Sequence, residues 1–426
     1  MGHRMQSWDQ QNQDIYIMLP GVLGDKSRLE KAAVKPTGQC AQFLERFREI
    51  AGYECSSELP AHLERLYLGD YCFACSDDNY EIPMLPVLPR DRLLSVKPCS
   101  VYVTVNWQTS LAIVLISIPQ CVYDATLIAD QISMEYLYLG RSADGEFRLL
   151  KQCIQEWFQI TQLDVPKAMF SMGQYDPGED YYKCLLGGTA YRSQYVNYRL
   201  SSKKISADAE RNIAVFDFYE AYVSSNILVF YLKSFSERYQ ENICDEIEML
   251  FICELALLQN SAIAKTNYQI IRQLSSPTKI SLKTIEDMHT EFGKAIRFWN
   301  QSNFQYAPVQ ELFSEVQDAF GNPQQLKDYR NNQEYLEHIV NIKNSRSSER
   351  ESKIINFIAI ILAVIQLIPT ILEWIPGEFN GKIVSASTAG AFGLFAIVYL
   401  LFRVQHQRKA RRARAAAARL GDSGKG

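Results

Sequence analysis

Two apolar runs lie back to back near the C-terminal end of this chain, and they restrict its folding more than any other stretch. Ile354–Ile375 reads IINFIAIILAVIQLIPTILEWI, and Ile383–Val404 reads IVSASTAGAFGLFAIVYLLFRV. A helix crosses a bilayer core with roughly 20 residues, and soluble core helices seldom run this long uninterrupted. Both runs therefore read as transmembrane helices. Only Pro376–Lys382 (PGEFNGK) joins them, so the pair forms a hairpin with both ends on one side. Arg403 closes the second span, and Arg408, Lys409, Arg411 and Arg412 follow, with no acid before Asp422. Such cationic flanks stay in the cytoplasm and meet anionic lipid headgroups. The basic residues are thus expected to anchor the tail, with both termini on the cytoplasmic side of an inner or plasma membrane.

The first span carries a stripe of small and polar residues. Asn356, Ala359, Ala363, Gln366, Thr370 and Glu373 follow at spacings of three, four, three, four and three, a heptad seam. Polar groups at membrane depth are costly unless they face protein or water. The stripe is expected to line a pore. The plainer alternative is packing against the second span, which has small positions at Ser385, Ala389, Gly390 and Gly393.

The 426 residues leave room for one or two cytoplasmic domains before the hairpin. The net charge of −4 includes the basic tail, so the remainder is acidic and no nucleic-acid binding is expected. Ten scattered cysteines on the cytoplasmic side are expected as free thiols. Residues 1–15 read as disordered, and Ile15–Leu23, broken by Pro20, as an edge strand. Gln42–Ile50 and Ala61–Leu66 read as helical. Ser100–Val105 and Leu111–Ile118 flank NWQTS as a β-hairpin, and Asp124–Tyr138 turns helical. Short helical pieces and loops fill 139–205. Beyond Ala207, Ala209–Arg238, Ile243–Leu274, Ser281–Asn300 and Pro308–Phe320 read as helices.

A last helix is expected to begin at Gly321-Asn322-Pro323, with Asn322 as N-cap and Pro323 in the first turn. No Gly or Pro interrupts it before Pro369. The seam extends backward through Ser352, Glu349, Ser345, Ile342, His338, Tyr335, Asn331 and Asp328 as a mostly polar line, while Leu326, Tyr329, Leu336 and Val340 occupy a face that can pack. The fold class is thus an α+β cytoplasmic domain followed by a long helical stalk and two transmembrane α-helices. Its divisions are an α+β part at 1–205, a helical part at 206–320, a stalk at 321–353, spans at 354–375 and 383–404 around an external loop at 376–382, and a basic tail at 405–426.

This arrangement resembles the CorA family of divalent-cation channels. Asp328-Tyr329-Arg330 early in the stalk, Asn344-Ser345-Arg346-Ser347-Ser348-Glu349-Arg350 before the membrane, and Glu254-Leu255-Ala256-Leu257-Leu258-Gln259 in an earlier helix carry the likeness. It is strongest over roughly 250–410. The resemblance implies a homopentamer whose first span lines the pore, with magnesium or another divalent cation as permeant or regulatory ion. Family members carry Gly-Met-Asn after the first span. Here Gly377 and Asn380 are present without that tripeptide, a departure that bears on magnesium selectivity. In a pentamer, Glu373 and Glu378 would ring the outer mouth, and Asn356 and Gln366 would form polar rings suited to hydrated ions.

Other motifs lead nowhere specific. Cys72-Phe73-Ala74-Cys75 lacks the second ligand pair of a structural zinc site. The acids Asp176, Glu179 and Asp180, or Asp245, Glu246 and Glu248, would suit a regulatory cation or a solvated surface. No Ser-His-Asp or Cys-His arrangement stands out, and no enzyme is expected. The leading expectation is a cation channel. A pore effector of a prokaryotic antiviral system, opened by a signal such as a signalling nucleotide, is the alternative, and a non-conducting membrane scaffold is the third class.

Overall fold

The computed structural model describes residues 13–54, 62–76, 87–88, 93–121, 125–134, 136–173, 178–188, 201–233, 239–274, 282–295 and 304–373. Two compact units divide the chain, Met1–His338 and Ile339–Gly426. In chain order the strands are β1 (Gln13–Leu23), β2 (Leu63–Ser76), β3 (Val87–Leu88), β4 (Leu93–Asn106), β5 (Leu111–Cys121), β6 (Leu137–Gly140), β7 (Phe147–Leu149), β8 (Ile160–Gln162), β9 (Lys167–Ser171), β10 (Tyr219–Val223) and β11 (Ile227–Leu232). The helices are α1 (Lys26–Ala32), α2 (Gly38–Glu54), α3 (Ala125–Met134), α4 (Leu150–Phe158), α5 (Glu179–Gly187), α6 (Ser202–Glu210), α7 (Tyr239–Leu274), α8 (Leu282–Ala295), α9 (Ala307–Ala319) and α10 (Asn322–Glu373).

The first unit is an α+β domain built on one mixed sheet in the order β10-β11-β9-β1-β5-β4-β2-β6-β7-β3, with β8 also on β1. β9 and β11 are parallel, and the other described pairs are antiparallel. Residues two apart in a strand share a face, and the centre of the sheet is apolar on both. Tyr16, Met18, Tyr102, Ile113 and Leu115 form one core with α2, α7 and α9. Ile15, Ile17, Val101, Val103, Val114 and Ile116 form the other with α3, α4 and α5. The β-branched runs that suggest a strand therefore read as continuous rather than alternating.

Tertiary pairing overrides several local readings. Ile15–Leu23 is not an edge: β1 pairs with β5 on one flank and with β9 and β8 on the other. Pro20 is tolerated because its missing N–H faces the second flank, between the end of the β9 ladder at Met18 and the start of β8 at Gly21. Its carbonyl is used there, accepting from Leu163 N–H at 3.0 Å. Ala61–Leu66 is not helical, since β2 begins at Leu63 and pairs with β4 as far as Ser76. The expected helix Ala209–Arg238 instead holds the last two residues of α6 and then the hairpin β10–β11, whose YEAYV buries every second residue; residues 234–238 lie outside the described residues. Within 139–205, β7, β8 and β9 join the sheet. The disorder expected for 1–15 is overturned only at Gln13–Ile15, which open β1; residues 1–12 lie outside the described residues.

The helix α7 contains a stretch, Glu246–Arg272, long and apolar enough to cross a membrane. Burial of 89 % of its most apolar window inside the fold accounts for that composition, because Leu250, Phe251, Ile252, Leu255, Leu257 and Leu258 all lie in the α2–α7–α9 core.

Candidate functional site

Asn322 fixes the start of α10, and its side chain does not cap that helix. It is buried: Nδ2 donates to the Ala256 carbonyl at 2.9 Å and to Gln259 Oε1 at 2.5 Å, and Oδ1 accepts from Asn260 Nδ2 at 3.1 Å. Gln317 Nε2 joins from α9 onto the same Gln259 oxygen at 2.8 Å. Three helices thus meet in one buried amide network, where removal of a member leaves unpaired polar groups that cost about 1–3 kcal/mol each. Gly321, at φ +77°, supplies the left-handed turn between α9 and α10. Farther along, Tyr329 stacks on Phe292 of α8 with ring centroids 4.1 Å apart, and burial pushes its hydroxyl up to about 12. Of the expected packing face, Tyr329, Leu336 and Val340 are buried and Leu326 is half-buried.

The opposite line, Asp328, Asn331, Tyr335, His338, Ile342 and Ser345, is exposed. Ser352 and Lys353 are exposed too, and beyond them the chemistry changes: Ile355 is 64 % exposed, Phe357 61 % and Ile360 61 %. At 3.6 residues per turn, Ser352, Asn356 and Ala359 fall within an arc of about 60°, with Ile355, Phe357 and Ile360 outside it.

Asn356 and Ala359 are exposed on α10. Ala363, Gln366, Thr370 and Glu373 are positions of the same unbroken helix, with side chains outside the described residues. Gly377, Glu378, Asn380 and the basic residues Arg403, Arg408, Lys409, Arg411 and Arg412 lie outside the described residues.

A second constellation was not singled out by sequence reasoning. Arg65 of β2 and Glu254 of α7 form an ion pair through Nη2 and Oε2, with both side chains 1 % exposed. Thr104 of β4 closes the triangle, accepting from Arg65 Nε at 3.0 Å and donating to Glu254 Oε2 at 3.1 Å. The guanidinium carbon lies 3.7 Å from the centre of the Phe47 ring and 5.1 Å from that of Phe43. Burial pushes Glu254 up and Arg65 down, and their mutual attraction opposes both shifts. The available signal was one acid inside LFICELALLQ, which demands a buried cation.

Glu246 stands one face away on α7. Burial and then the charge of Asp14 push its carboxyl up to about 7, against hydrogen bonds with Tyr16 and Ser171. Cys72 and Cys75, three apart in a strand, fall on opposite faces of β2 and enter different apolar clusters, so they do not converge on a metal. Glu179 is paired with Lys183, while Asp176 lies outside the described residues. Among the described residues, no three His, Cys, Asp or Glu side chains gather as a metal site.

No protein-family model, no curated protein and no solved structure matches this chain.

Proposed function

We propose that the chain is one subunit of an oligomeric cation channel, anchored in a membrane by the two apolar runs, with the first of them lining the pore. The observation that carries this reading is α10. It starts in a buried amide network of the α+β domain and continues for 52 residues without a break, into sequence apolar enough for a bilayer. Where that sequence begins, Ile355, Phe357 and Ile360 are exposed beside the narrower Asn356–Ala359 arc. Lipid or neighbouring subunits would cover the former, and the latter would face water. Carboxylates at Glu373 and Glu378 would concentrate cations at the mouth, and amide rings at Asn356 and Gln366 suit an ion that keeps its hydration shell, as magnesium does.

Flux tests the reading. Purified protein in liposomes should pass cations, with magnesium, cobalt, sodium and potassium compared side by side. Selective divalent flux without an added ligand is the expected result. Unselective leakage appearing only after a nucleotide pool is added would transfer the reading to a signal-gated effector. An absence of flux under both conditions would leave a membrane-anchored scaffold and overturn the channel.

A further inference from the structure

Arg65, the cationic member of the Arg65–Glu254 pair, borders a cavity that the channel reading does not use. A cleft of about 350 Å³ is lined by Ala33, Val34 and Pro36 of the α1–α2 connection, by Ala41, Leu44, Glu45 and Arg48 of α2, and by Arg65, Leu66 and Tyr67 of β2. Its size is within the range of small-molecule sites. It lies on the flank of β2 that faces away from β4: there the Tyr67 carbonyl accepts from Val34 N–H at 2.8 Å, and β6 pairs only from Cys72 onward.

Arg65 meets its two partners with one side of the guanidinium, Nε to Thr104 and Nη2 to Glu254. Nη1, on the other side, is buried and has no partner among the described residues, in a residue that is 2 % exposed. A buried donor left unpaired is costly, more so on a charged group. Charge decides what would satisfy it. Glu254 already balances Arg65, and at the mouth the exposed Glu45 and Arg48 balance each other. An anion brought to Nη1 would be desolvated beside the Glu254 carboxylate without a surplus cation to hold it. A neutral acceptor loses far less on burial.

We propose that this cleft binds a small neutral ligand, an amide or carbonyl oxygen on an apolar body, with the body against Val34, Ala41, Leu44 and Leu66 and the oxygen reaching Arg65 Nη1 by displacing the side chains that cover it. Glu254 lies on α7, and five residues later on that helix Gln259 holds Asn322 at the start of α10. An occupant that rearranges the Arg65–Glu254 pair therefore acts on the helix that fixes α10, whatever α10 goes on to do.

Amide hydrogen exchange on the full chain in detergent tests the site, with N-butylacetamide as probe and hexanoate as the charged counterpart. N-butylacetamide should slow exchange at 33–35 and 65–67 by about threefold or more, and hexanoate should not. Ala41→Trp, which fills the cleft from its rim, should abolish the protection. So should the double substitution Arg65→Met with Glu254→Met, which keeps the core filled and removes the donor. Equal protection by hexanoate, protection that survives either variant, or no protection by the amide would each overturn the proposal. Ion flux is not part of the readout, so failure here leaves the channel reading standing, and the reverse.

Discussion

At Glu246 the folded chain keeps a proton that an unfolded chain would release. Its carboxyl is raised to about 7 from an ordinary value of 4.5, by burial first and by Asp14 second. A raised acid contributes stability that is complete below the ordinary value and is lost as the pH climbs through 7. At about 1.4 kcal/mol per pKa unit, the loss is on the order of 3 kcal/mol at most. Glu246→Gln should therefore be nearly neutral at pH 5 and raise the melting temperature at pH 8; equal effects at both would remove Glu246 as the cause. The Arg65–Glu254 pair has a different signature. Glu254→Ala strands a buried guanidinium and should cost about 3–5 kcal/mol, whereas Arg65→Met with Glu254→Met should cost far less, because the desolvation of both charges disappears with them. Denaturant titration of the single and double variants separates the two outcomes. Neither residue declares its role in the sequence. An acid in an apolar helix is visible, but the arginine that answers it is 189 positions away, and only the sheet brings them together.

The elements divide by how far their signals are local. The β4–β5 hairpin is legible because SVYVTV and LAIVLISI are β-branched and the turn between them is short. The length of α10 is legible because helix propagation needs only the absence of breakers. The hairpin β10–β11 is not legible under a helical window, since its five- and six-residue strands are shorter than two helical turns and carry aromatic residues on both faces. Asn322 illustrates a narrower failure. Asn before Pro suggests a cap, yet the side chain is drawn into the α7–α9 network, where two carbonyl acceptors and one amide donor outweigh one free N–H at a helix end. Asn322→Ala should thus cost more than a lost cap, which is typically about 1 kcal/mol. It should also speed amide exchange over the first turns of α10 and in α7 near Gln259. Exchange confined to the first turn of α10 would restore Asn322 as an ordinary cap.

For the whole molecule, the decisive matter is which side of α10 meets water beyond Ile354. The six stripe positions from Asn356 to Glu373 lie within an arc of about 100° on a regular helix, which leaves most of the circumference to Ile, Leu, Val and Phe. A helix of that composition in lipid turns its polar arc toward protein or an aqueous path. Single cysteines at Asn356, Gln366 and Glu373, in a background with the ten native cysteines replaced, should react with water-soluble thiol reagents in liposomes. Cysteines at Ile358 and Leu362, which fall outside the arc, should be protected. Equal protection of both sets would make the stripe a packing seam against the second span. Reaction of both sets would mean that this part of α10 is not in the bilayer at all. The pattern expected of a pore is reaction along the stripe alone, and permeant cations should slow it at Gln366 more than at Ser345, because in a pore only the former would lie where an ion and a reagent compete for the same narrow path.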